Sequence, residues 1–164
     1  MRSDAATILR HMGYALDRDF ITVQRDTGVQ IKWLSDTPQP DEKAIDAAAL
    51  PALRAILWEL IKTERDRRIQ EQGYVAGGKR FHGDTFSRTQ QMGLVMLGAG
   101  IPPGLQWKTM DGSFITMTPT LAQQIFAAAA ASDIALFGHA EALRAQVNAA
   151  EDPSSVDITA GWPA

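Results

Sequence analysis

Cysteine is absent from the chain. That removes structural disulfides, thiol nucleophiles and cysteine-ligated zinc or iron–sulfur sites, and it suits folding in a reducing cytoplasm. No run approaches the roughly 18 consecutive apolar residues that span a bilayer. The alanine block Ala127–Ala131 is short and weakly apolar, so no membrane insertion is expected. Met1-Arg2-Ser3-Asp4-Ala5 holds no continuous apolar stretch and does not read as a signal peptide. Positive charge is not in excess either. Sixteen Lys+Arg against nineteen Asp+Glu give a net charge of −3 and a pI near 5.6, against the concentrated basic face that nucleic-acid binding demands.

What remains has globular proportions. The 164 residues are 45% hydrophobic and 21% charged, enough chain for one core or for two small lobes. The first forty residues predict a small αββ unit. Asp4 can cap a short helix carrying Ile8, Leu9 and Met12 on one side, ended by Gly13. Phe20 and Thr22, then Val29, Ile31 and Trp33, alternate around Asp26-Thr27-Gly28 as a hairpin. Pro38 and Pro40 close the unit as a stiff connector.

Residues 41–72 predict a connecting helical segment. Asp41 can cap it, and Pro51 either kinks it or begins a fresh helix. Leu53, Ile56, Leu57, Leu60 and Ile61 form an apolar stripe, and the charged run Lys62–Arg68 follows. Residues 73–150 predict a second α+β region. Gly77-Gly78 marks a turn or small hairpin, and Ser87 with Gln90 forms a capping box before a helix bearing Met92, Val95, Met96 and Leu97. Asp111-Gly112 is expected as a two-residue type I′ turn, which places Trp107 and Thr109 on one face with Phe114 and Thr116. Thr118-Pro119 opens a long helix, with Ser132 or Asp133 able to recap it, so one bent helix or two abutting ones both fit. The tail, 151–164, is aperiodic and reads as extended and flexible. The expected fold class is α+β: an αββ unit, a long central helix, hairpin, helix, hairpin, long helix and an extended tail.

No catalytic constellation emerges. His11, His82 and His139 are far apart. His82 and Asp84 could supply two metal ligands where a site needs three or four, so they are weak candidates: a small metal-dependent enzyme is the less favoured alternative, and no metal or other cofactor is expected. Gly77-Gly78-Lys79-Arg80 lacks the spacing and hydroxyl of a phosphate loop. Asp17 and Asp19 sit in a polar loop where solvation explains them. Arg65, Arg67, Arg68, Lys79, Arg80 and Arg88 form a loose basic cluster diluted by Glu64, Asp66, Glu71 and Asp84.

Two stretches carry a family likeness. Phe81-His82-Gly83-Asp84-Thr85-Phe86-Ser87-Arg88-Thr89-Gln90, with Leu105-Gln106-Trp107-Lys108-Thr109-Met110-Asp111-Gly112-Ser113-Phe114, resembles a domain of unknown function recurrent in tail proteins of tailed phages and prophages. The likeness extends back through Lys62–Arg68 and forward through Leu121–Ile134. Asp19-Phe20, Ile31-Lys32-Trp33 and Pro38-Gln39-Pro40 are similar to the XkdW family of prophage proteins. The resemblance implies a non-enzymatic tail component or a tail-fibre assembly chaperone, made in the host cytoplasm and located in the virion tail. Its expected partners are fibre or baseplate proteins within a multi-subunit assembly, with no nucleic acid. For such a role Trp33, Trp107, Phe114 and Trp162 are the candidate apolar anchors, and Arg65, Arg68 and Arg80 the candidate pairs for acidic partner surfaces.

Overall fold

The computed structural model describes residues 5–26 and 28–164. Asp4, the expected first cap, and Thr27, in the expected first turn, lie outside the described residues. Among the described residues the fold is α+β, 55% helix and 16% strand, with three separate antiparallel hairpins. The chain forms two compact units, one taking in the chain up to Glu59 together with Val147–Val156, the other Leu60–Gln146 with Asp157–Ala164.

In the first unit, α1 (Ala5–His11) buries Ala6, Ile8 and Leu9. Gly13 ends it at φ +95°, a conformation glycine adopts without penalty. Strands β1 (Phe20–Arg25) and β2 (Gly28–Trp33) pair with Phe20 opposite Trp33, Thr22 opposite Ile31 and Gln24 opposite Val29. The expected alternation therefore does share one face. Ala6, Leu9 and Phe20 form the core, with Tyr14, Leu16, Ile31, Trp33 and Ile45 packed against it. Asp19 departs from the solvated reading. It is buried, its carboxylate accepts the Ala15 N–H at 2.7 Å, and Arg18 pairs with it at 2.6 Å. Arg18 holds that carboxyl below the usual range.

Helix α2 (Glu42–Glu71) is continuous through Pro51. The Asp41 carboxylate accepts the Ala44 N–H at 2.7 Å, as expected of a cap. Proline at 51 withdraws the donor for the Ala47 carbonyl; both residues are exposed, so water can replace it. The expected stripe is only partly buried: Ile61 is fully enclosed, whereas Leu60 is half exposed.

The second unit holds β3 (Tyr74–Ala76), β4 (Lys79–Phe81), α3 (Thr85–Leu97), β5 (Gln106–Lys108), β6 (Phe114–Thr116) and most of α4 (Pro119–Ala149). Gly77 and Gly78, both at positive φ, form the β3–β4 turn. Tyr74, Phe81, Leu94, Ile101, Met117, Leu121 and Ile125 make the core, with Trp107 and Ile115 packed against it. Burying each large apolar side chain contributes about 1.5–3 kcal/mol. Helix α4 is one helix, with no recapping at Ser132 or Asp133. It opens as the Thr118-Pro119 signal predicts, the Leu121 N–H donating to Thr118 Oγ1 at 3.1 Å. By length and composition, α4 also passes the test for crossing a bilayer, with a mean hydropathy of 1.3 over its best 18 residues. Apolar core helices of folded proteins pass the same test.

Candidate interaction surface

The β5–β6 hairpin is built around Asp111. Its pairing runs Trp107 opposite Ile115 and Lys108 opposite Phe114, and the Thr109 N–H donates to Ser113 O at 2.9 Å, which leaves Met110-Asp111-Gly112 as a three-residue loop rather than the expected two-residue turn. The Gly112 N–H donates to Thr109 O at 3.0 Å, and Gly112 takes φ +80°, the geometry of a type I turn closed by a left-handed residue. One extra loop residue slips the register and turns the second strand over. Trp107 therefore shares its face with Ile115 and packs on the core, while Phe114 points to the other side and is 62% exposed. The expected common face of Trp107 with Phe114 is corrected accordingly.

Side-chain chemistry holds this loop. Asp111 Oδ1 accepts the Ser113 N–H at 2.9 Å and lies 2.6 Å from both the Ser113 and Thr109 hydroxyls. Oδ2 pairs with Lys79 at 2.9 Å. The Ser113 and Thr109 hydroxyls, then Lys79, hold the Asp111 carboxyl well below the usual carboxylate range. The Met110 N–H donates to Arg80 O at 2.9 Å, fastening the loop to β4. Phe114 is thus presented on a braced support.

Beside it, Trp107, Phe114, Gln106 and Lys108 face His82, Ser87, Gln90 and Gln91 across an open cleft of about 320 Å³. The two far-apart stretches that carry the phage-tail resemblance meet here. Asp84 has a structural task in the fold. It caps α3, its two oxygens accepting the Ser87 N–H at 2.9 Å and the Ser87 hydroxyl at 2.7 Å. Those bonds lower the Asp84 pKa. The helix therefore starts at Thr85, ahead of the expected Ser87–Gln90 box. Among the described residues no three His, Asp or Glu side chains converge as a metal site.

The basic cluster is internally paired. Arg65 contacts Asp66 at 2.7 Å and lies over the Phe137 ring at 4.3 Å. Arg67 and Arg68 share Glu64, at 2.8 and 2.7 Å. Arg67, then Arg68, hold the Glu64 carboxyl down to about 2 despite its partial burial. Arg80 donates to Gln72 O at 2.9 Å. Arg88 forms a two-point ion pair with Asp133 at 2.6 and 2.8 Å, donates to Gly83 O at 2.8 Å and lies over the Tyr74 ring. Behind it the Tyr74 hydroxyl donates to Gln91 Oε1, and Gln91 donates to His82 O at 3.1 Å. Nothing local in the sequence signals the Arg88–Asp133 pair, because 45 residues separate its members.

Trp33 and Trp162 engage their own chain. Trp33 stands edge-on to Tyr14 at 5.0 Å, and its indole N–H donates to Thr37 O at 2.7 Å. Trp162 packs edge-on against His139 at 4.7 Å, with Arg68 5.5 Å from its ring and its N–H donating to Ile158 O at 3.0 Å. Gln72 donates to Pro163 O at 2.9 Å. Asp152 and Asp157 cap local turns at Ser154 and Thr159. The tail expected to be flexible is therefore ordered by short caps and one aromatic anchor. Of the four apolar candidates, Phe114 alone is more than half exposed, whereas Trp33, Trp107 and Trp162 are half-buried.

Residues 52–160 match a family described as a domain of unknown function, DUF4376. No curated protein and no solved structure matches the chain.

Proposed function

The chain belongs to the DUF4376 family, and from the resemblance of residues 81–90 and 105–114 to phage-tail domains we propose that it is a non-enzymatic bacteriophage tail component. In this reading it binds a tail fibre or baseplate protein and supports its attachment or assembly in the virion tail. One observation carries the contact site: Phe114, 62% exposed, opens β6 beside the loop braced by Asp111 and lines the cleft shared with Trp107 and His82. A braced, exposed aromatic at a cleft edge is what an interface anchor requires, because little ordering entropy is lost on binding. The resemblance of residues 81–90 and 105–114 to tail-associated domains supplies the kind of partner, and those two stretches build the cleft.

The test pairs mass spectrometry of purified particles with capture of fibre or baseplate protein by the tagged chain from infected cells. The expected result is a fixed ratio to the fibre or baseplate protein in virions. Phe114→Ala should cut capture about thirtyfold, the loss of about 2 kcal/mol typical of a central anchor. Capture with absence from virions would convert the reading to an assembly chaperone. Absence from both would overturn it.

A further inference from the structure

One face of the second unit is apolar and almost without charge. On α3, Met92 and Met96 are 49% and 82% exposed; on α4, Phe126, Ile134 and Phe137 are 51%, 74% and 46% exposed. Met92 and Met96 lie one turn apart on α3, while 126, 134 and 137 recur at helical spacing along α4 with exposed Ala130 between them. The two rows adjoin, because Met92 and Phe126 line one cleft of about 270 Å³. Arg88 is the one charged residue of α3, and Asp133 is the one charged residue of α4 from Pro119 to Gly138. They neutralise each other at 2.6 Å across the seam. At the edge, Arg65 covers Phe137 and is itself paired with Asp66.

We propose that this face docks a second copy of the chain, helix pair against helix pair about a two-fold axis. The charge pattern favours a copy over a charged foreign partner. An acidic or basic partner finds no unmatched charge to read here, whereas the face meets itself without like-charge repulsion even though the chain carries −3. The area also suffices. A stable interface takes about 800 Å² from each partner. Five large apolar side chains, each offering on the order of 200 Å² when bare and about half to four-fifths exposed, supply most of that. Exposed Ala127, Ala130 and Ala131 extend the patch. Together they lie at the top of the range for the largest apolar patch of a typical monomer, about 300–600 Å².

Self-association does not depend on the tail assignment, and either can fail without the other. The experiment is sedimentation velocity on the full chain from about 1 to about 100 μM, alongside Ile134→Glu and Met96→Glu. Both residues are highly exposed, at 74% and 82%, so the variants retain their circular-dichroism spectrum and melting behaviour. The expected result is a dimer whose dissociation constant rises at least about tenfold in each variant. A wild-type chain that stays monomeric at the highest concentration overturns the proposal. A dimer indifferent to both variants overturns it as well. A third overturning result is a chain monomeric in solution that sediments with phosphatidylcholine–phosphatidylglycerol vesicles and loses that binding in Ile134→Glu; the occupant of the face would then be a bilayer.

Discussion

Substituting Gly83 by alanine should be among the most damaging one-methyl changes in the protein. Gly83 sits between His82, at the cleft, and Asp84, the cap of α3. A Cβ added there would lie closer than 3.0 Å to the Ile69 carbonyl oxygen of α2, and 3.4 Å from the Gly73 Cα. Both obstacles are backbone, so no side chain can swing aside to relieve the overlap. The chain must separate α2 from the segment leading into α3, and that overpacking costs about 1–3 kcal/mol. Gly93 in α3 and Gly138 in α4 serve as controls, because a Cβ at either meets nothing within 4 Å. Alanine there should stabilise by about 0.5–1 kcal/mol through helix propensity and a less flexible unfolded chain. Urea denaturation followed by circular dichroism at 222 nm reads all three. The reasoning is refuted if Gly83→Ala lies within about 0.5 kcal/mol of wild type, the range of surface changes. It is equally refuted if Gly93→Ala destabilises as much as Gly83→Ala.

Three further outcomes are expected. Alanine at Arg88, at Asp133 and at both should give a coupling energy of about 1–2 kcal/mol in a double-mutant cycle, above the range for exposed pairs because the pair is two-pointed and half-buried; additive single losses would show that the pair is not coupled. Glu64→Gln should cost about 0.5–1 kcal/mol at neutral pH, the modest value of a largely solvent-screened pair. Because the folded Glu64 pKa is depressed to about 2 from 4.5, that stabilisation is complete above about 4.5 and is lost as pH falls toward 2; a wild-type–variant difference that grows on acidification would contradict the assignment. Asp84→Ala should lower stability by about 1 kcal/mol through loss of the α3 cap, whereas Asp84→Asn should recover most of it; equal losses in urea melts would point to charge rather than capping.

Sequence by itself determined the parts of the fold whose causes are local. Asp41 and Thr118 start helices, Gly13 stops one, and Gly77-Gly78 turns a hairpin, because each acts on backbone within a few residues. The alternation from Phe20 to Trp33 gave the first hairpin's face for the same reason. The Asp111-Gly112 signal placed a hairpin correctly but not its register. Two- and three-residue loops both use glycine at positive φ, and the choice rests here on Asp111 bonding Ser113, on Lys79, and on Met110 reaching Arg80. That single residue of slip decided whether Phe114 or Trp107 was exposed. The helix stripes were legible as amphipathic, but burial required neighbours: Met92 and Met96 belong to the apolar set of α3 and are exposed, while Gln91 is buried because Tyr74 and the His82 carbonyl meet it. Tertiary structure alone brought Arg88 to Asp133, seated Trp162 on His139 and joined residues 81–90 to 105–114 across one cleft. Those contacts link residues 17 to 45 positions apart or come from separate elements, and side-chain periodicity carries no information beyond the element that contains it.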